Sequence, residues 1–144
     1  MRKHFPDLPF EGSVHLACRR YFKIAGITVC VESDLDFDAI PFKKEFTPFA
    51  VAGPGDDNVT LRHHFKLPDL KGKDLGVEVY RKPPWAISHK NDIWFYKGIS
   101  TDPHDTTLHR VAVFENDYTC GTIYSPSGDA EHIRADGWPS LSLF

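Results

Sequence analysis

The sequence predicts a mainly β fold: an antiparallel β-sandwich or open barrel with one short helix or irregular segment near 36–47. Short runs of β-branched and aromatic residues recur along the chain, and turn residues rather than amphipathic helices separate them. The composition agrees, because 11 Phe, 5 Tyr and 3 Trp stand beside 10 Gly and 11 Pro. Aromatic side chains suit half-buried strands, and Gly and Pro suit the tight turns that join them.

Apolar patterns predict eight strands, and the polar and Gly-rich or Asn-rich stretches between them predict turns. We expect the first strand to be long and largely buried, with Gly26 as a bulge. In the segment after it, Pro41 and Pro48 limit any helix to one or two turns. The predicted strands are 21–32, 59–65, 77–81, 85–89, 93–99, 108–114, 118–124 and 131–135.

Length and charge restrict the class of protein. A chain of 144 residues has the size of one domain, so we expect 1–144 to fold as a single unit with 1–18 as an irregular lead-in. The formal net charge is −3. Because proteins that bind nucleic acids usually carry a basic stripe, we expect no nucleic-acid partner.

The N-terminus and the cysteines predict a cytoplasmic protein that does not bind a membrane. Arg2 and Lys3 precede no apolar stretch of the kind found in a secretion signal. The longest apolar-rich run, 24–31, is far shorter than the ~20 residues that span a bilayer. An odd number of widely spaced cysteines favours reduced thiols over a disulfide framework or a zinc ribbon; they are Cys18, Cys30 and Cys120.

The first candidate site is the histidine-rich segment 103–110. His104, Asp105 and His109 could supply three metal ligands, or His109 could act as a general base beside Arg110 for an anionic substrate. We expect His104 in a loop and His109 at the start of a strand, so local geometry does not bring them together. Capping and turn roles are therefore the alternative, and we assign no metal to this segment.

The second candidate is the pair His63 and His64. Neighbours on a strand point to opposite faces of the sheet, so the two histidines cannot hold one ion without a bulge. His63 shares its face with apolar residues, which predicts a hydrogen-bonded core histidine. His64 shares the other face with Arg62, and these two side chains could bind an anion.

A third pattern is acidic. Asp34, Asp36, Asp38 and Glu45 occupy positions 1, 3, 5 and 12 of a calcium-binding loop. Ala39, however, stands where that loop needs a glycine for its sharp turn. N-capping of a short helix by Asp36 or Asp38 is the better interpretation.

Catalytic motifs are missing from the sequence. It contains no GxxxxGK[ST], GxGxxG, GxSxG or HExxH pattern. We therefore assign no catalytic residue and no cofactor, and we expect no catalytic activity from this chain. The aromatic residues are predicted to be mainly core, although an exposed subset could form a binding patch.

Five stretches together resemble a known architecture: YFKIAGITVCVESD, GPGDDNVTLRHHF, RKPPWAISHKNDIWFY, LHRVAVFENDYTCGTIYSP and GWPSLSLF. They resemble the N-terminal region of bacterial proteins whose C-terminal half is an HPr kinase-like or phosphoenolpyruvate carboxykinase-like P-loop domain. In such proteins the nucleotide-binding loop follows the segment that ends here at Phe144. The resemblance implies that the chain is the N-terminal domain of a longer protein.

The resemblance also implies a function and a partner. The function is that of a non-catalytic recognition or regulatory β domain, and the partner is the C-terminal kinase-like domain of the same polypeptide or another protein. Two alternatives stay open. One is a small metal-binding or anion-binding protein or enzyme centred on His104 and His109, and the other is a homo-oligomer formed through exposed aromatic side chains.

Overall fold

The computed structural model describes residues 18–34 and 42–136, and strands dominate this part of the chain. Nine strands occur there, together with a 3₁₀ helix at Lys44–Phe49 and the helix α1 at Ser127–Asp136. The strands are β1 Cys18–Ile24, β2 Ile27–Ser33, β3 Ala50–Val51, β4 Asn58–His64, β5 Val77–Lys82, β6 Trp85–Lys90, β7 Ile93–Ile99, β8 Leu108–Glu115 and β9 Cys120–Tyr124.

The nine strands form one sheet in the order β3-β1-β2-β4-β9-β8-β7-β6-β5. The sheet does not close, so β3 and β5 are its two end strands. Six of the eight pairings are antiparallel, whereas β4 runs parallel to both of its neighbours, β2 and β9. The predicted mainly β fold with one short helical segment is therefore confirmed, and the parallel centre is the feature that local patterns did not indicate.

The prediction of one long strand over 21–32 is wrong, because these residues form a hairpin of two strands, β1 and β2. Ala25 and Gly26 have φ angles of 52° and 83°, and this pair of left-handed residues turns the chain from β1 back into β2. Gly26 is thus a turn residue and not a bulge. The continuous apolar and β-branched pattern concealed the turn, since Ala-Gly lacks the Asn-Gly or Asp-Gly signal of such hairpins.

The predicted last strand 131–135 is also wrong, because these residues belong to α1. Asp129 lies in the first turn of the helix and Arg134 in the last, as the helix dipole favours. Ala130 and Ile133, three residues apart, are buried against the sheet. Because only these two positions on its buried side are apolar, the sequence of α1 shows little of the hydrophobic periodicity that predicts a helix. The last residue of the predicted lead-in 1–18, Cys18, begins β1. Residues 1–17, the possible calcium ligands Asp36 and Asp38, and residues 137–144 lie outside the described residues.

Two apolar cores lie on opposite faces of the sheet. On one face, which we call the helix face, α1 and the 3₁₀ helix cover β1, β2 and the end of β4; the core residues are Phe22, Val31, Phe65, Ala130 and Ile133. On the other, the loop face, Leu70 covers β7 and β8 at Phe95, Val111 and Val113. The loop face of β2, β4 and β9 carries polar side chains instead.

The described part of the chain holds no helix long and apolar enough to cross a membrane.

Candidate functional site

Polar side chains of the three central parallel strands form rows across the loop face. The strand register places Cys30, Thr60 and Cys120 side by side, and Glu32, Arg62 and Thr122 form the next row. His64 and Tyr124 are paired in a third row. Ser33 of β2 pairs with His63 of β4, so the residue after Ser33, Asp34, adjoins His64 at the end of this row. We call these nine residues the polar patch.

Glu32 is the charged centre of the polar patch. Only 5% of its side chain is exposed, and its carboxylate contacts two guanidinium groups. Arg19 Nη2 lies 2.7 Å from Oε1, and Arg62 Nε donates to Oε2 over 3.0 Å. Arg62 Nη1 also donates to Cys120 Sγ over 2.9 Å. The predicted anion ligand Arg62 is therefore held inside the protein, and an added anion would have to compete with Glu32.

His64 is buried beside Arg62 on the face that the sequence predicted for it. Burial lowers the pKa of His64 below its usual 6.5, although the nearby Asp34 carboxylate acts in the opposite direction. The imidazole stacks on the ring of Tyr124 with 5.4 Å between the centroids. Burial also raises the pKa of Tyr124 to about 12. Both groups are consequently neutral at pH 7, which does not favour His64 as an anion ligand.

His64 predicts how stability depends on pH. Because its pKa is lower in the folded protein than in the unfolded chain, the unfolded chain binds its proton more readily. The stability associated with neutral His64 is present above about pH 6.5 and is lost as the pH falls. We expect His64→Gln to lose less stability than the wild type between about pH 7.5 and about pH 5.5, as measured by urea unfolding. The control is the exposed His109→Ala, and equal pH slopes for wild type and His64→Gln would contradict this role.

The cysteines of the polar patch are protonated thiols and therefore poor candidates for a nucleophile. Cys30 and Cys120 are both free, and burial raises the pKa of each thiol. Thr60 separates them in their row, so they lie two strand spacings apart, roughly 9–10 Å. That separation exceeds the ~7 Å over which two Cα atoms can be bridged by a disulfide.

The histidine-rich segment has a turn structure rather than a convergent site. Asp105 Oδ2 lies 3.8 Å from His109 Nε2, and both side chains are exposed. Asp105 Oδ1 accepts from the Thr107 amide, which lowers the pKa of Asp105, and the His104 amide donates to Asp102. Among the described residues, no group of three His, Cys, Asp or Glu side chains could hold a metal ion.

Arg110 serves a different element from its neighbour His109. Its guanidinium donates from Nε and Nη2 to Asp129 Oδ2, over 3.2 Å and 2.6 Å. This contact fastens the first turn of α1 to β8 on the helix face. The structure therefore does not join Arg110 and His109 in the predicted general-base site.

A surface groove of about 540 Å³ lies between residues 67–72 and residues 106–108 of the histidine-rich segment. Neither His104 nor His109 lines it. Its wall carries leucine side chains together with Asp69 and Lys71, and Asp69 already accepts from the Lys71 amide. The lining residues are Leu67, Pro68, Asp69, Leu70, Lys71, Gly72, Thr106, Thr107 and Leu108.

The end strand β5 exposes apolar side chains. The sequence pattern predicted the strand but not its position at an edge of the sheet. All six of its residues are exposed, and Val77, Val79 and Tyr80 are 72%, 56% and 46% accessible. Trp85 on the adjoining strand β6 is 37% exposed. An irregularity between Glu78 and Tyr80 turns Val79 out of the pairing register with β6. Some of the aromatic and apolar side chains are thus exposed at the β5 edge of the sheet and do not lie in the core.

Fold and surface together define a class: an all-β domain with an open nine-stranded sheet, a buried ionic centre and an apolar exposed edge. Comparisons with protein-family models, with curated proteins and with solved structures found no match.

Proposed function

We propose that this chain is a non-catalytic recognition domain that binds an extended polypeptide segment along the edge of β5 that no described strand pairs with. The observation that carries the proposal is that all six residues of the end strand β5 are exposed, three of them apolar or aromatic. An unpaired edge presents main-chain N–H and C=O groups to a second strand, and neighbouring side chains select its sequence. Exposed apolar residues add affinity because binding removes them from water.

The side chains around β5 define the chemistry of the bound segment. Glu78 contacts both Arg81 and Lys97, and Lys82 follows at the end of the strand. Two cations thus contact the Glu78 carboxylate and Lys82 adds a third positive charge on the strand, whereas Val77, Val79 and Tyr80 are apolar. The preferred segment is therefore extended, with apolar side chains and at least one acidic side chain near Arg81 and Lys82.

Both arginines that the sequence offered for binding an anion are paired within the domain. Arg62 contacts Glu32 and Arg110 contacts Asp129, so an anionic substrate would have to displace a carboxylate from either guanidinium. Each of these predicted site residues has a structural partner within the domain. We propose further, from the resemblance of the sequence, that the bound segment belongs to a kinase-like domain of the same bacterial cytoplasmic protein or to another protein.

Two synthetic hexapeptides test the proposal. One alternates valine with glutamate and the other alternates valine with lysine, and binding to the purified protein is followed by fluorescence anisotropy. We expect the acidic peptide to bind more tightly, because Arg81 and Lys82 attract its carboxylates. Val79→Glu should weaken this binding by about tenfold, since a charged side chain on an edge strand opposes further pairing and a carboxylate also repels the acidic peptide.

Val51→Glu is the matched control for this experiment. Val51 lies on β3, the opposite end strand, and is 40% exposed. The same substitution there should leave peptide binding unchanged. Equal binding of both peptides, no binding of either, or an equal loss in Val51→Glu would each contradict recognition at β5.

A further inference from the structure

The exposed strand β5 carries an acidic and a basic side chain on the same face of the sheet. The register pairs Glu78 with Ser88 of β6 and Arg81 with Ala86. Ser88 and Ala86 are two residues apart on β6 and therefore point to the same face. Their partners on β5 share that face, and Arg81 Nη2 lies 2.9 Å from Glu78 Oε1. Residues three apart on a regular strand point to opposite faces, so the irregularity after Glu78 is what brings these two charges together.

This charge pattern is complementary to itself when two copies of β5 run antiparallel. A twofold axis perpendicular to the sheet relates two such strands, so each copy offers the same residues to the other and opposed side chains point to the same face. With the axis between Val79 and Tyr80, Glu78 of each copy lies opposite Arg81 of the other copy. The register therefore places two carboxylates opposite two guanidinium groups across the junction.

Neighbouring registers of the same two strands are less favourable. An axis at Glu78 would place two carboxylates opposite each other, and an axis at Arg81 would do the same with two guanidinium groups. Like charges directly opposite each other destabilise a strand pair. A shift by one residue would place Glu78 opposite Tyr80 or Lys82, whose side chains point to the other face. Charge and facing together thus select the register with the axis between Val79 and Tyr80.

The exposed apolar residues of β5 meet in this same register. Val79 and Tyr80 lie at the axis, so these residues of the two copies come together there. Val77, the most exposed of the three, lies opposite Lys82 of the other copy, whose aliphatic stem can cover it. Apolar burial therefore favours the arrangement that the charges select. The other end strand, β3, has only two residues and offers far less to a second copy.

We propose that two copies of this chain pair antiparallel through β5 in this register, and that the dimer closes the recognition edge. The inference rests on the proposed function, because both use the same unpaired edge, and it makes a second copy the competitor of any other bound segment. Two six-residue strands form an interface below the ~1,200 Å² of a standard stable complex, so we expect a dissociation constant on the order of 100 µM. The edge is therefore free at low concentration and closed where copies of the chain are concentrated.

Analytical ultracentrifugation of charge-exchange variants tests the pairing. The wild type should be monomeric at about 10 µM and mainly dimeric at about 1 mM. Glu78→Arg and Arg81→Glu should each weaken self-association by at least about tenfold, because each variant places like charges opposite one another. An equimolar mixture of the two variants should associate as the wild type does, since one copy is then positive and the other negative at both positions. Neither variant keeps the Glu78–Arg81 pair within its own chain, so the loss of that pair cannot explain a recovery in the mixture.

Val51→Glu on β3 is the control and should dimerise as the wild type does. A strict monomer at about 1 mM, no recovery in the mixture, or an equal loss in Val51→Glu would overturn pairing through β5. The acidic hexapeptide separates this proposal from the proposed function, because it should occupy β5 and dissociate the dimer. A protein that binds the peptide but never dimerises would refute the self-pairing alone. A dimer that binds no peptide at any concentration would refute the recognition of other segments and leave the self-pairing supported.

Discussion

Replacing Glu32 with glutamine should destabilise the protein by about 3 kcal/mol, the lower end of the range for removing one partner of a buried ion pair. The carboxylate is 5% exposed and balances both Arg19 and Arg62. Glutamine has the same shape but no charge, so two cations would remain close together without compensation. We place the effect at the lower end because the Arg19 side chain is 57% exposed and can turn toward water.

Urea unfolding of the variant measures this effect, and Glu78→Gln is its control. Glu78 also contacts two cations, Arg81 and Lys97, but its side chain is 37% exposed. Ion pairs of that kind contribute about 0–1 kcal/mol, so the control should lose much less stability. Similar losses in the two variants would show that the buried Glu32 is not an ionic centre of the fold.

Replacing Gly76 with alanine should cost about 3 kcal/mol, because two separate penalties coincide. Gly76 has a φ of 87°, in the left-handed region that disfavours a side chain. A Cβ atom at this position would also overlap the carbonyl oxygen of His89, a backbone atom of β6 that cannot easily move. The residue lies directly before β5, and its amide donates to Asp74. We therefore expect the pairing of β5 with β6 to suffer first.

Gly72→Ala separates the two penalties. Gly72 has a similar φ of 76°, but a Cβ atom there would meet nothing within 4 Å. Only the backbone penalty of about 1–2 kcal/mol should remain in that variant. Thermal or urea unfolding compares the two variants directly, and an equal loss would remove the close approach of Gly76 to β6 from the explanation.

Local sequence patterns predicted most strands, because the apolar runs and the turn residues between them lie close together in the sequence. The turn at Lys90-Asn91-Asp92 is an example: Asn91 has a φ of 55°, as expected of a hairpin between β6 and β7. The side on which each residue of β4 points was also predictable, since alternation alone separates His63 from His64. By contrast, the Ala25-Gly26 turn and α1 escaped prediction because their own residues carry weak signals.

The contacts that the sequence did not predict depend on pairing between strands that are distant in the sequence. Nothing near Glu32 in the sequence shows that Arg62 lies beside it, because that contact depends on the parallel register of β2 and β4. The same register brings Asp34 next to His64. A partial signal existed in β2, where Thr28, Cys30 and Glu32 alternate with apolar or small residues and so indicate a polar face. The exposure of β5 likewise follows from strand order, which local sequence does not encode.

Amide hydrogen exchange with and without the acidic hexapeptide tests recognition at β5 most directly. In the free protein the amides of β5 that face away from β6 should exchange rapidly, because an end strand leaves half of its main-chain groups to water. Peptide binding should slow the exchange of amides within Val77–Lys82 and leave β3, the polar patch and the groove at 67–72 unchanged. Protection that arises in any of those three places instead, with β5 unaffected, would contradict the proposed mode of recognition.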